Sequence, residues 1–231
     1  MQIRRVILDT ETTGLDPKEG HRIIEIGCLE MIDRKLTGQY FHAYLNPERA
    51  IDPDAAKITG LTEAFLKDKP LFAEVAEDFL HFIGQDSEVV IHNAPFDLGF
   101  LQHELSLLNH SVCSLEDTCV IVDTLLMARR LYPGRRNNLN ALCERYGIDN
   151  SNRAYHGALL DAELLAKVYL AMTAGQTQLD LDDTLTNVET GLRPYKIKRM
   201  ARKKNEALSV IYATKAELDA HDARMKGLGQ V

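Results

Sequence analysis

The stretch Val6-Ile7-Leu8-Asp9-Thr10-Glu11-Thr12-Thr13-Gly14 joins an unbroken apolar run to two carboxylates, several hydroxyls and a glycine. The apolar run is typical of a strand that is buried on both faces. Residues two apart in a strand point to the same face, so Asp9 and Glu11 project together from the strand end. Two carboxylates about 4 Å apart repel each other by roughly 4 kcal/mol at an effective dielectric constant near 20. Such a pair needs a cation, a shared proton or a wide-open solvent position, and the cation would need further acidic ligands.

The bulk composition limits the class of protein. The chain has 231 residues, 45% of them hydrophobic and 26% charged, which suits one well-cored domain with an appendage. No apolar run is long enough for a membrane span, and the N-terminus lacks the apolar region of a signal peptide, so we expect a cytoplasmic protein without membrane contact. A net charge of −7 argues against wrapping long duplex nucleic acid but leaves open an enzyme that grips only a chain end.

The cysteines give no sign of a zinc site. No two of Cys28, Cys113, Cys119 and Cys143 have the Cys-x-x-Cys spacing. Reduced structural thiols are the expectation for a cytoplasmic chain.

Hydrophobic patterning predicts an α/β fold with a mixed five-stranded sheet flanked by helices. Three strands with short connections predict an antiparallel meander, and strands alternating with helices follow it. The expected strands are 4–11, 23–33, 39–45, 88–92 and 119–122, with a turn at Lys35–Gly38. The expected helices are 54–58, 62–66, 72–83, about 95–109, one from Asp123 to Tyr132, 139–146 and a long one within 156–174.

The chain changes character after Gly175, which predicts a main domain at 1–175, a linker at 176–192 and a tail at 193–231. Seven Lys or Arg fall within residues 193–204, a strand-like stretch follows at 208–212, and Thr214 and Glu217 form a capping-box pattern. The tail is too small to bury a core alone, so we expect it to fold against a partner.

Further carboxylates fall where ligand sites gather, at the carboxyl ends of strands. Asp97 lies in the first turn of the helix after the fourth strand, and Asp161 lies near the start of the last helix. His156 is five residues before Asp161, about 140° around a regular helix, so the two cannot face one point from the same helix. We therefore expect Asp161 on the helix and His156 on a mobile loop before it, with Gly157 as hinge.

This set of residues suits two-metal phosphodiester hydrolysis. Carboxylate oxygens favour Mg²⁺ or Mn²⁺, two such ions can stabilise the attacking and leaving oxygens, and a neutral histidine can take a proton from the attacking water. Each residue also has a structural interpretation when it is taken alone: Asp9 and Glu11 as a solvated turn, Asp97 as a helix-start charge, and His156 as a surface or capping histidine. Asp123, also at a strand end, is better explained as a helix cap than as a ligand.

The motifs resemble those of the DEDDh family of 3′→5′ exonucleases, most closely its proofreading epsilon subunits of bacterial DNA polymerase III. The resemblance covers residues 4–174 closely and the tail more loosely. It is carried by Asp9-x-Glu11, Asn93-x-Pro95-Phe96-Asp97 and His156-x4-Asp161, and by the flanking stretches 9–14, 23–27, 135–143 and 155–162. It implies an RNase H-like fold and excision of nucleoside monophosphates from the 3′ end of DNA.

The resemblance also implies roles for particular residues. Asp9, Glu11 and Asp161 would ligate one metal ion, Asp9 would share the second, Asp97 would hold the second through water, and His156 would be the general base. Asp54 and Thr59 match positions where relatives touch the bound nucleotide, although relatives often have histidine in place of Thr59.

The implied partners are DNA and other replication proteins. The substrate would be a single-stranded or frayed 3′ end, and residues 193–231 would bind the catalytic subunit of the replicative polymerase. Gln176–Leu181 resembles a sliding-clamp peptide, and a small third core subunit is a further candidate partner.

Several alternatives stay open at the level of sequence. Arg129, Arg130, Arg135 and Arg136 suit either contact with the substrate backbone or a solvated face. Phe96 and Phe100 are better explained as core than as platforms for base stacking. Two rival functions are a free-standing exonuclease that acts on RNA ends or short oligonucleotides, and a scaffold subunit with a dead site.

Overall fold

The structure is a computed structural model that describes residues 3–112, 114–151, 155–174 and 213–227. The chain divides into two units, residues 1–178 and 179–231. The first contains a five-stranded sheet whose strands are β1 (Arg4–Thr12), β2 (Ile23–Ile32), β3 (Lys35–Tyr44), β4 (Glu88–Ile91) and β5 (Val120–Asp123). All five predicted strands are present, within a few residues of their expected bounds.

The strand order is β3-β2-β1-β4-β5, with β1 in the centre. β1, β2 and β3 pair antiparallel, whereas β4 pairs parallel with both β1 and β5. This is the predicted mixed sheet, because a meander can be joined by short turns while parallel neighbours require helical crossovers. The arrangement brings the carboxyl ends of β1, β4 and β5 to one edge of the sheet.

The helices of the first unit flank this sheet. Their bounds are α1 (Pro53–Thr59), α2 (Glu63–Leu66), α3 (Phe72–Ile83), α4 (Ala94–Leu107), α5 (Thr124–Leu131), α6 (Leu139–Tyr146) and α7 (Ala158–Met172). Gly84 ends α3 as expected, with its N–H donated to the carbonyl of Leu80. Pro95 lies in the first turn of α4, where its missing N–H costs nothing.

Alternation along β1 divides the apolar core between the two faces of the sheet. Val6 and Leu8 point to the face covered by α3 and α4, where Phe79 and Phe100 are fully buried. Ile7 points to the face covered by α6 and α7. Because residues two apart share a face, Asp9 and Glu11 continue the side of Ile7 and point towards α7, while Thr10 points towards α4.

The turn between β2 and β3 was predicted in the wrong place. The predicted turn residues Lys35–Gly38 lie within β3, and the chain reverses at Asp33 and Arg34, whose φ angles are +46° and +66°. A two-residue hairpin turn of this type usually carries glycine or asparagine. Here Arg34 compensates with hydrogen bonds from its guanidinium to the hydroxyl of Thr173 and the carbonyl of Leu170, at the end of α7.

The described part of the second unit is one helix, α8 (Lys215–Gly227). Its capping box is present as predicted: Thr214 donates its backbone N–H to the Glu217 carboxylate at 2.7 Å, and the Glu217 N–H returns to the Thr214 hydroxyl. The predicted linker, clamp peptide, basic run and strand at 208–212 lie outside the described residues, so the division at 175 and 192 stays a prediction. No helix in the described ranges combines the length and apolarity needed to cross a bilayer.

Candidate active site

Glycine at position 27 lets α7 start directly over the strand that carries Asp9. Gly27 is the β2 partner of Asp9, so its missing side chain would project from the same face of the sheet. A Cβ atom at Gly27 would overlap the backbone of Ala158 and Leu159. The first turn of α7 can therefore approach the end of β1 only because position 27 has no side chain.

This approach brings Glu11, His156 and Asp161 together. One ligand atom from each lies within 4.8 Å of the other two, and His156 Nδ1 is 3.4 Å from Asp161 Oδ2. The placement of two residues follows the prediction, because His156 precedes α7 and Asp161 lies in its first turn. Gly157, predicted as a hinge, is the N-cap of α7. Asp161 is almost fully buried, whereas the side chain of His156 is 40% exposed, so the imidazole can reach a substrate.

The segment that carries His156 is anchored to the neighbouring α1–α2 corner. The backbone N–H of His156 donates to the carbonyl of Ile58 at 2.9 Å. The ring of Tyr155 lies against Gly60, where a Cβ atom would approach it to 2.8 Å. His156 is therefore positioned both by α7, which follows it, and by the end of α1, which contains Thr59.

Asp97 is held on the other side of β1. One of its oxygens, Oδ1, accepts the backbone N–H of Thr10 at 3.0 Å and the Thr10 hydroxyl at 2.7 Å. The last residue pair between β1 and β4 is Ile7 with Val90. The backbone N–H of Thr10 lies beyond that pairing, and the Asp97 carboxylate accepts it in place of a β4 carbonyl. Burial raises the pKa of Asp97 to about 7, against the opposing effect of the Thr10 hydrogen bonds.

The donor set fits a divalent cation. Glu11 and Asp161 offer carboxylate oxygens, the donors that Mg²⁺ and Mn²⁺ prefer, and His156 adds an imidazole. Asp9 and Asp97 are outside this group of three. Asp9 is next to this group, two residues before Glu11 on the same face of β1. Asp97 is hydrogen-bonded to Thr10, the residue between Asp9 and Glu11. The part of the chain that the structure describes contains no other such cluster of His, Cys, Asp and Glu.

A cavity of about 350 Å³ opens beside Glu11. It lies between the end of β1, helix α1 and the start of α4, and its lining includes both predicted nucleotide-contact residues, Asp54 and Thr59. Asp54 is exposed and pairs with Lys57 at 3.0 Å. Thr59 is buried, and its hydroxyl donates to the carbonyl of Ala55 at 3.0 Å. This hydrogen bond holds the Thr59 side chain in one position in the cavity lining.

The side chain of Phe96 contacts both the core and the cavity. It is half-buried, packs against the core beside Phe100 at a ring distance of 5.1 Å, and also lines the cavity. Phe100 is fully buried and belongs to the core, as expected from the sequence.

A buried carboxylate next to the site was not among the site residues that the sequence predicted. Glu25 faces Glu11 across the β1–β2 pair and is only 2% exposed. Its carboxylate lies 2.8 Å from His42 Nε2. The pKa of Tyr44 is raised mainly by burial and, to a smaller extent, by the nearby charge of Glu25. The signal was available, because alternation along β2 places this charged residue on the same face as Gly27.

Asp123 has the structural role predicted for it. Its carboxylate caps α5 by accepting the backbone N–H groups of Leu125 at 2.8 Å and Leu126 at 3.2 Å. It also accepts the N–H of Asn93 at 3.3 Å, which links the ends of β4 and β5.

Comparison with known proteins shows which family the chain belongs to. The sequence model of the exonuclease family matches residues 6–169. DNA polymerase III subunit epsilon of Escherichia coli (strain K12) is 48% identical over 227 residues, covering 96% of this chain and 92% of that protein. The subunit of the same name from Rickettsia felis is 51% identical over 223 residues, covering 95% and 94%.

Solved structures share the fold. Exonuclease X in complex with 5′ overhanging duplex DNA has a TM-score of 0.57 at 27% identity, over 74% of this chain and 91% of that one. The zinc-bound complex of E. coli exonuclease I with single-stranded DNA has a TM-score of 0.67 over 77% of this chain and 42% of that one, and its 19% identity supports the fold alone. The chain therefore belongs to the exonuclease family and, within it, to the epsilon subunits of bacterial DNA polymerase III, which makes it a metal-dependent DNA exonuclease.

Proposed function

We propose that this protein removes nucleotides one at a time from the 3′ end of DNA and proofreads for a bacterial replicative polymerase in the cytoplasm. The observation that carries the proposal is the cluster of Glu11, His156 and Asp161 beside a cavity of about 350 Å³. A cavity of this volume is within the range that holds a small ligand. The terminal nucleotide would occupy it, with the scissile phosphate at the carboxylates and a nucleoside monophosphate as product.

The acidic residues would bind two divalent cations. Asp9, Glu11, Asp97 and Asp161 are the proposed ligands, and the ions are Mg²⁺ or Mn²⁺. Bound at this site, such ions supply Lewis-acid stabilisation of the charge that develops on the phosphate. The burial of Asp97 suits this role, because a buried carboxylate is stabilised in its charged form by a nearby cation.

His156 is the proposed general base. Its Nδ1 atom faces the buried carboxylate of Asp161, which leaves Nε2 to take the proton from the attacking water. The Asp161 carboxylate would hold the ring in this orientation. Partial exposure of the ring then allows the proton to pass to solvent.

Asp54 and Thr59 are the proposed contacts to the bound nucleotide, together with Asp9, Glu11 and Asp161. Discrimination would be physical, since a mispaired end frays more easily and supplies the unpaired nucleotides that the site needs. Little reading of base edges is required.

The tail would tether the enzyme. We propose that residues 193–231 bind the polymerase catalytic subunit, and the support is similarity to the epsilon subunits along almost the whole chain. We also propose that Gln176–Leu181 binds the sliding clamp. A small third core subunit is a further proposed partner. Truncation after Gly175 is expected to preserve excision and abolish co-purification with the polymerase.

The decisive experiment is excision of a mispaired 3′ nucleotide with Mg²⁺ by the wild type and by the double variant Asp9→Ala/Glu11→Ala. We expect mononucleotide release to disappear and Mn²⁺ binding, measured by calorimetry, to weaken. Glu77→Ala, at an exposed helix position, is the matched control and should behave as the wild type. Continued release by the double variant would refute the assignment, and equal or faster cleavage of RNA ends would favour the RNA-directed rival.

A further inference from the structure

A second and larger cavity lies at the same edge of the sheet, beyond β4. Its volume is about 750 Å³, and it lies between the start of α4, helix α5 and the loop from α5 to α6. We call it the arginine cleft, after the three residues Arg129, Arg135 and Arg136 in its lining. Neither the metal cluster nor the nucleotide cavity includes any of these arginines.

The charge of the arginine cleft is unlike that of the chain as a whole. The protein carries a net charge of −7, yet the lining of this cleft contains three arginines and no acidic residue. Among the described residues, no ion pair involves Arg129, Arg135 or Arg136. Exposed guanidinium groups without carboxylate partners are ready to bind an anion, and their planar fork matches phosphate oxygens.

The loop that carries two of these arginines is held in place. Arg145 donates to the carbonyl of Arg136 at 2.7 Å and to the side chain of Asn137 at 3.1 Å, and its guanidinium lies 4.3 Å from the ring centre of Tyr132. Asn137 is buried and donates to the Tyr132 carbonyl at 3.2 Å. The cleft is therefore a formed surface rather than a chance grouping of long side chains.

The first turn of α4 separates the two cavities. Phe96 lines the nucleotide cavity, Asn93 lines the arginine cleft, and Asp97 is buried one helical turn after Asn93. A strand whose last nucleotide fills the nucleotide cavity has its scissile phosphate near the carboxylates. The next nucleotides can continue past the first turn of α4 into the arginine cleft, which Asn93 lines.

We propose that the arginine cleft binds the phosphodiester backbone of the substrate strand on the 5′ side of the scissile bond. This inference rests on the proposed function and adds the path of the strand. Arg129, Arg135 and Arg136 would contact phosphates, and Asn93 would offer its side-chain amide. Such contacts fix position without reading sequence, as an exonuclease that accepts any end requires.

The test compares two substrates in the full-length protein. The triple variant Arg129→Gln/Arg135→Gln/Arg136→Gln should raise KM for single-stranded oligothymidylate by about 10- to 100-fold. Thymidine 5′-p-nitrophenyl phosphate has no further phosphates that could reach the cleft, so the triple variant should hydrolyse it as the wild type does. The salt dependence of oligothymidylate binding, measured by fluorescence anisotropy, should fall in slope by about 2. Single variants should each give part of the effect.

Arg130→Gln is the matched control, because Arg130 belongs to the same helix but does not line the cleft. An effect of Arg130→Gln equal to that of Arg129→Gln would overturn the proposal in favour of diffuse charge. An unchanged KM for oligothymidylate in the triple variant would also overturn it, as would an equal loss on both substrates. Loss of polymerase binding with normal oligothymidylate kinetics would assign the cleft to a protein partner instead.

The two proposals fail in different ways. If the wild type cleaves neither substrate, the proposed function is wrong. Anisotropy still reports whether the wild type binds oligothymidylate more tightly than the triple variant, so the cleft is tested independently of catalysis.

Discussion

Thr10 donates two hydrogen bonds to one oxygen of Asp97, from its backbone nitrogen at 3.0 Å and from its hydroxyl at 2.7 Å. Thr10 lies between Asp9 and Glu11 but points to the opposite face of the sheet. The three acidic residues of β1 and α4 are thereby linked through one threonine. The hydrogen bonds favour the charged form of Asp97, and burial opposes it more strongly.

The raised pKa of Asp97 predicts that the metal-free protein loses stability as pH rises. The pKa is about 7 in the folded protein and near 3.9 in an unfolded chain, so folding takes up a proton between these values. The free energy of unfolding should therefore fall from about pH 4 upward and reach its lower level above pH 7, by roughly 2 to 4 kcal/mol. Thermal unfolding in EDTA between pH 5 and 8 measures this.

Asp97→Asn should flatten that dependence, because the amide does not titrate. Asp78→Asn, an exposed change on α3, is the control and should keep the wild-type slope. Mg²⁺ should restore more stability to the wild type at pH 8 than to Asp97→Asn, which keeps the proposed ligands Asp9, Glu11 and Asp161 but lacks Asp97. Parallel curves for Asp97→Asn and the wild type would show that Asp97 does not titrate in this range.

Gly27→Ala is expected to displace the start of α7 and so disturb the positions of His156 and Asp161. The added methyl group would overlap the backbone at the start of α7, so either the helix or β2 must shift. We expect a loss of about 2 to 4 kcal/mol in unfolding free energy and a fall in excision rate larger than the fraction unfolded explains. Chemical denaturation and single-turnover excision measure the two effects.

Gly99→Ala is the matched control, because the same methyl group there meets nothing within 4 Å. Alanine favours a helix over glycine by roughly 1 kcal/mol, so this variant should be as stable as the wild type or more stable. If both glycine variants behave alike, close approach at Gly27 is not what matters.

The sequence determined most of this site because its chemistry is local to strand and helix ends. Asp9 and Glu11 follow an apolar run, Asp97 follows a proline in a first helical turn, and the spacing of His156 and Asp161 required the histidine to precede the helix. Long-range partners carry no such signal. The hydrogen bonds from Arg34, in the turn before Lys35–Gly38, reach residues at the end of α7, and the contact of Glu25 with His42 depends on the pairing of β2 with β3.

Glu104 supplies a test of how the site's scaffold is held. It is 1% exposed and accepts hydrogen bonds from Arg22 Nε at 2.8 Å and Arg22 Nη2 at 2.7 Å. It also accepts the backbone N–H of Ile23 at 3.2 Å. These bonds tie the start of β2 to α4. Glu104→Gln leaves the Arg22 charge without its partner and should cost about 3 kcal/mol in denaturant unfolding.

The control for Glu104 is Glu77→Gln, which changes an exposed carboxylate 3.0 Å from His110. An exposed pair of this kind contributes at most about 1 kcal/mol. Equal effects of the two substitutions would mean that burial does not set the strength of the Arg22–Glu104 pair.

Gly157→Ala tests whether the segment that carries His156 must move. In the structure Gly157 has φ −143° and ψ 130°, an extended conformation open to any residue, and a Cβ atom there would only reach ordinary contact with Glu25 at 3.8 Å. The bonds of this segment to Ile58 and Asp161 already fix its place. We therefore expect Gly157→Ala to keep kcat within about 3-fold of the wild type, whereas His156→Gln should lose about 10²- to 10⁴-fold as a base is removed. A loss of kcat in Gly157→Ala comparable to that of His156→Gln, at unchanged thermal stability, would show instead that Gly157 is the hinge which the sequence predicted.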